Sequence, residues 1–116
     1  MPISATTTGI FARAANARTL GALRAIKAAH KDGEVLVAAF DGIPEFVDLL
    51  KSKAIVASGM QQPYLMGVKS GEALIDSLNG KTPEKTITVP IVVATSKNID
   101  QILPTIKETV FGNELK

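Results

Sequence analysis

Cysteine is absent from the 116 residues, which removes disulfides, thiolate metal sites and a cysteine nucleophile together. That absence is compatible with an oxidising or a reducing compartment. Tryptophan is also missing and aromatics make up only 4%, so any core must be built mainly from Ile, Leu, Val and Ala. Basic runs are lacking too. The formal charge is +2 and Lys and Arg alternate with acids along the chain, although the pI is near 9.0. A nucleic-acid surface needs clustered cations, with interleaved aromatics for a single-stranded target, and is excluded as a partner on that ground. No apolar run approaches the roughly 18–20 residues that cross a bilayer. The opening "MPISATTTGIFARAANARTL" lacks the basic start and apolar block of a secretory signal. No internal repeat or low-complexity segment occurs. What is present, 46% apolar and 21% charged residues, is ordinary for one small globular domain with one core.

Strand and helix signals alternate along the chain. "TTTGIFA" (Thr6–Ala12) reads as a short strand. "NARTLGALRAIKAAHKDG" reads as a helix, with Leu20, Leu23 and Ile26 three apart and Asp32-Gly33 as its stop. Val35–Phe40 is a continuous apolar run, the pattern of a strand buried on both faces. Pro44 then opens a helix with Phe46, Val47, Leu49 and Leu50 inward. "AIVASGM" is a further strand. "PYLMGVKSGEALIDSLNGK" is a helix with Leu65, Val68, Ile75 and Leu78 on one side and Asn79-Gly80 as its stop. "TITVPIVVAT" is a strand interrupted by Pro90, and "KNIDQILPTIKETVFG" is a helix that Pro104 kinks or divides. Strands separated by helices of this length predict an α/β fold, a parallel sheet with flanking helices. Ligands of such sheets bind beyond the carboxyl ends of the strands, where Asp41, Gln61 and Gln62 fall.

Each of these residues has a plain structural role beside a functional one. Asp41-Gly42 is a turn pair or a helix cap as readily as a ligand hook. Gln61 is a loop amide or a contact, Gln62 a solvated loop residue, Asn16 a helix N-cap and Arg18 an exposed surface cation. His30, the one histidine, sits at a helix C-terminus where a cation is favourable. Tyr64 packs in a first helical turn or stacks on a ligand. Glu45 and Asp48 form a solvated face. Enzyme signatures fail one by one, so a catalyst is not expected. Ser58-Gly59 lacks the first glycine of a nucleophile elbow. "NGK" at Asn79–Lys81 follows a helix instead of preceding one. No acid or histidine cluster has metal spacing, and no cofactor is implied.

The segments Leu20-Gly21-Ala22, Phe40-Asp41-Gly42 with Pro44-Glu45, Gln61-x-Pro63 with Gly67, and Val89-Pro90 occur in that order. Together they resemble the C-terminal part of periplasmic sugar-binding proteins of the ribose-binding type, the solute receptors of ABC importers. The likeness covers about Gly9 to Asp100. Transcription regulators of the lactose-repressor type share this core, but more often carry a second aspartate where this chain has Gly42; their effector-binding part is the alternative. A remnant that binds nothing is the third reading.

The resemblance implies a periplasmic, Rossmann-like lobe that closes with a second lobe on a monosaccharide or similar small polyol. By position, Asp41 would accept hydrogen bonds from two hydroxyls and Gln61 would both donate and accept. Ala15-Asn16 stands where the family often has Asn-Asp, which makes Asn16 a further candidate ligand contact and removes one polar group. The membrane permease of the importer is the implied protein partner. Family members are more than twice this length, so a truncated product or one part of a split receptor is expected, cytoplasmic if it is a truncated product or a regulator fragment. On that basis 1–63 form the second-lobe core. Residues 64–88 carry a helix that would pack on the first lobe, and 89–116 a returning strand and C-terminal helix. Leu65, Val68, Ile75 and Leu78 would then lack neighbours in the isolated chain. Such a stripe invites folding back, a homo-oligomer or aggregation.

Overall fold

The computed structural model describes residues 8–12 and 16–112. Thr6, Thr7 and Ala15 of the expected elements lie outside them. Four strands and four helices alternate: β1 (Thr8–Ala12), α1 (Asn16–Ala28), β2 (Val35–Phe40), α2 (Glu45–Lys51), β3 (Ala57–Met60), α3 (Pro63–Leu78), β4 (Val92–Thr95) and α4 (Ile99–Thr109). The α/β class with flanking helices is the one the sequence predicts. The sheet order is β1-β2-β3-β4, with β1, β2 and β3 parallel. β4, in contrast, runs antiparallel to β3 and pairs Met60 with Val92, correcting the all-parallel expectation.

That register explains the position of α3. β4 begins where β3 ends, so the whole excursion 61–91 leaves and returns at one edge of the sheet. A crossover helix would have lain across the sheet; α3 instead continues beyond its edge, about 24 Å at 1.5 Å per residue. None of its residues is buried. Leu74 is 61% exposed, Ile75 59% and Leu78 78%. The molecule is correspondingly elongated, 60 × 32 × 24 Å with a radius of gyration of 17.4 Å, against about 13 Å for a compact chain of this length.

Packing is one-sided. Val37 and Ala39 of β2, Ser58 and Met60 of β3 and Ala94 of β4 are buried. They meet Phe46, Val47 and Leu50 of α2 and Ile99 and Ile106 of α4, with Ile26 of α1 in the same cluster. The alternate positions Leu36, Ala38, Phe40, Ala57 and Gly59 are only half-buried, and Val93 is exposed. β2 is therefore not buried on both faces: the period-2 rule puts one side of the sheet against helices and leaves the other open. Outside the core, Lys51 of α2 pairs with Asp100 of α4 at 2.8 Å. The hydrogen bond to Asp100 and its charge raise the lysine pKa.

Local chemistry sets the ends of the elements. α1 ends at Ala28, before the expected Asp32-Gly33, and the chain turns at His30. His30 adopts φ 54°, its N–H reaches the Lys27 carbonyl and the Lys31 N–H reaches the Ile26 carbonyl. This is the paired-bond helix ending that a left-handed residue makes possible. Gly80 ends α3 in the same way, as Asn79-Gly80 predicts, with Lys81 bonded to Asp76. Pro104 lies inside α4 and does not divide it. The expected strand from Thr86 contracts to Val92–Thr95, because Pro90 offers no N–H to a ladder. Asn98 then closes β4: its Oδ1 accepts the Thr95 N–H at 2.7 Å and its Nδ2 donates to the Val93 carbonyl at 2.8 Å.

The core and α3 differ sharply in energetic weight. Phe46→Ala should lower the free energy of unfolding by about 3–5 kcal/mol in urea titration, because the fully enclosed ring leaves a cavity. Leu78→Ser should change it by no more than about 0.5 kcal/mol, and should reduce any self-association seen by light scattering.

Candidate functional site

Asp41 follows directly on the carboxyl end of β2, and its backbone answers whether it serves as turn or cap. It adopts φ 63°, a left-handed conformation in which Asp is enriched among non-glycine residues. It does not cap α2, since Pro44 holds the N-cap position and no side chain bonds there. Two bonds to β3 hold the residue in place. The Asp41 N–H donates to the Gly59 carbonyl at 2.8 Å, and the buried Ser58 hydroxyl donates to the Asp41 carbonyl. Gly42 beside it leaves space for the Met60 side chain, since a Cβ there would stand 2.9 Å from Met60 Cε. The backbone is thus locked while the carboxylate points outward.

Gln61, the first residue after β3, donates from Nε2 to Asp41 Oδ1 at 3.0 Å. Across from this pair lies Asn16 at the start of α1. All three side chains line one open cleft of about 260 Å³, together with Gly42, Pro63, Met66 and Val110. Asn16 Oδ1 is buried and has no hydrogen-bond partner. It therefore does not cap α1, which corrects the expected N-cap role. A buried carbonyl oxygen without a donor costs about 1–3 kcal/mol, which a ligand hydroxyl could recover. The structure thus collects acceptors at one place: a free amide oxygen and the carboxylate oxygen not engaged by Gln61. Such a set suits a neutral molecule with several O–H donors and disfavours an anion.

Other expected roles sort cleanly. Arg18 is exposed, as are Glu45 and Asp48. Tyr64, in the first turn of α3, lies beside Gly112, where a Cβ would sit 3.0 Å from its ring, and is otherwise 49% exposed. Gln62 is not a solvated loop residue: it is 4% exposed and donates to the Pro90 carbonyl at 2.7 Å. Sequence reasoning also missed Ser58, whose signal lay only in a polar residue inside an apolar strand. A larger groove of about 690 Å³ opens at the amino ends of β2 and β3, between α1 and residues 52–56. It lies at the opposite end of the strands from Asp41. Its walls are mainly apolar side chains such as Leu20, Leu23 and Leu49, and its charged lining, Arg24, Lys27 and Lys53 with the single carboxylate of Asp32, is mostly cationic.

The left-handed backbone of Asp41 makes a direct test of this geometry. Asp41→Gly should unfold at a urea concentration no lower than the parent chain, since glycine adopts that conformation freely. Asp41→Val should lose roughly 1–2 kcal/mol, because a β-branched residue is strained there.

Comparison with known proteins places this geometry in a family. The profile described as "Periplasmic binding protein domain" matches residues 3–82. The ribose import binding protein of Bacillus subtilis (strain 168) is 41% identical over 78 residues, covering 67% of this chain and 25% of that protein. Its counterpart in Haemophilus influenzae (strain ATCC 51907 / DSM 11121 / KW20 / Rd) is 40% identical over 74 residues, again 25% of its length. Among solved structures, an ABC transporter solute-binding protein from Agrobacterium vitis with bound D-fucose superposes with a TM-score of 0.76 at 33% identity, covering 89% of this chain and 34% of that one. One from Actinobacillus succinogenes 130z with bound D-allose gives 0.75 at 26% identity, covering 81% and 32%. The chain therefore spans a quarter of the curated relatives and about a third of these structures. The profile match over most of the chain, the 41% identity and the shared fold make it a member of the periplasmic binding protein family.

Proposed function

We propose that this chain forms the sugar-contacting part of one lobe of a solute receptor for sugar import, a binding protein and not a catalyst. The observation that carries the reading is the buried, unpartnered Oδ1 of Asn16 in the cleft that also holds Asp41 and Gln61. Asp41 accepts from one or two hydroxyls of a monosaccharide in charge-assisted bonds, about twice as strong as neutral ones. Gln61 holds one carboxylate oxygen and turns its own Oε1 to the ligand. Asn16 Oδ1 takes a third hydroxyl. The names of the relatives and the sugars bound in the superposed structures support this choice of ligand class.

The remaining parts of the reading follow from the same family. The exposed apolar side of α3, with Val68, Ile75 and Leu78, packs on the other lobe of the receptor, supplied by protein outside this chain. The complete receptor works in the periplasm and delivers its sugar to the importer's membrane permease. With only half the contacts, the isolated chain binds at about millimolar strength, because the cost of association is incurred in full.

A ¹⁵N amide titration with pooled pentoses and hexoses tests the site, since millimolar binding still moves peaks. Shifts should cluster at Asn16, Asp41-Gly42 and Gln61. Asp41→Asn should weaken binding about tenfold and Asn16→Leu comparably, each being the loss of one ligand hydrogen bond. A dispersed spectrum that no sugar perturbs would defeat the proposal.

A further inference from the structure

Gln61 and Gln62 form a two-residue joint between β3 and α3, and their side chains diverge. Gln61 reaches back to Asp41, while Gln62 turns into the protein and donates to the Pro90 carbonyl. The joint is short on backbone anchors. Gln62 has φ −112° and ψ 71°, outside helical values, and Pro63 brings no N–H. The Gln62 carbonyl is already committed to the Met66 N–H at 2.9 Å, the first bond of α3. On the other side of the contact, residues 86–91 belong to no strand or helix, so the Pro90 carbonyl lies outside the ladder that starts at Val92. Next along the chain, Ile91 packs over Gly59, where a Cβ would lie 3.5 Å from its Cγ2 and 3.4 Å from Phe40 Cδ2. One buried amide therefore fastens the outgoing passage to the incoming one at the edge where the cleft lies.

We propose that Gln62 is a positioning residue for the cleft: its clasp on Pro90 fixes the joint so that Gln61 faces Asp41 and the first turn of α3 supplies the cleft wall at Pro63 and Met66. The affinity arm of this inference rests on the sugar-binding reading above; the geometric arm does not. Two replacements of similar size separate fastening from filling. Gln62→Met keeps volume but donates nothing, and Gln62→Glu presents only acceptors to the Pro90 carbonyl.

The experiment is ¹⁵N and methyl NMR of the full chain and both variants, with residual dipolar couplings for α3 and titration with the pentose and hexose pool including D-ribose. The core methyls of Leu50 and Ile106 should stay in place. The Gln61 side-chain amide and the Ile91 and Val92 amides should move, and the direction of α3 against the sheet should change. Sugar affinity should fall in the order Gln, Met, Glu, about tenfold at the last step. A Met variant that matches the parent at Gln61, Ile91 and α3 would overturn the proposal, as would changes spread evenly through the core. If no sugar moves any parent peak, the sugar reading falls, and the Gln61, Ile91 and α3 signals alone decide the clasp.

Discussion

The backbone of Asp41 is the constraint on which the rest of the site depends. A carboxylate beyond the end of a strand would ordinarily swing with its loop. Here the residue is held in the left-handed region by its own N–H on Gly59 and by the Ser58 hydroxyl on its carbonyl. Both partners belong to β3, so the register of β2 against β3 sets where the carboxylate stands. The carboxylate is thus mounted on the sheet, with Gln61, directly after β3, completing the mount.

A second consequence of strand geometry is the uneven coverage of the sheet. Helices α1, α2 and α4 all contribute to a single core, and the alternate residues of β2 and β3 face away from it. α3 adds nothing to that core, because β4 starts beside the end of β3 and the intervening chain never crosses the sheet. An isolated chain built this way has a well-packed half and an apolar surface elsewhere, at Ile75, Leu78, Ile91 and Val93. The stretch matched to the ribose import binding proteins is only a quarter of their length.

The two glutamines show how one dipeptide divides its work. Both are amides at a strand end, and composition cannot distinguish them. Gln61 is exposed beside a carboxylate, whereas Gln62 is buried against a carbonyl. The difference follows from strand alternation continued past Met60: successive side chains leave on opposite sides, one towards the cleft and one towards the returning chain.

Much was legible in the residues themselves. The α/β class, the existence of each helix, the Gly80 stop, the inward set Phe46, Val47 and Leu50, and the grouping of Asp41 and Gln61 at strand ends all follow from local periodicity and turn chemistry. The resemblance supplied Asn16. Tertiary structure decided what depends on partners distant in sequence. The direction of β4 is one example, since an apolar run reads the same either way and only pairing with β3 orients it. The left-handed state of Asp41 needs Ser58 and Gly59, seventeen and more residues on. The orphaned Asn16 oxygen and the buried Gln62 amide arise only once α1 and the passage at Pro90 are brought to one edge of the sheet. Local chemistry chose the elements, and the sheet, by fixing which of their ends meet, made a site from them.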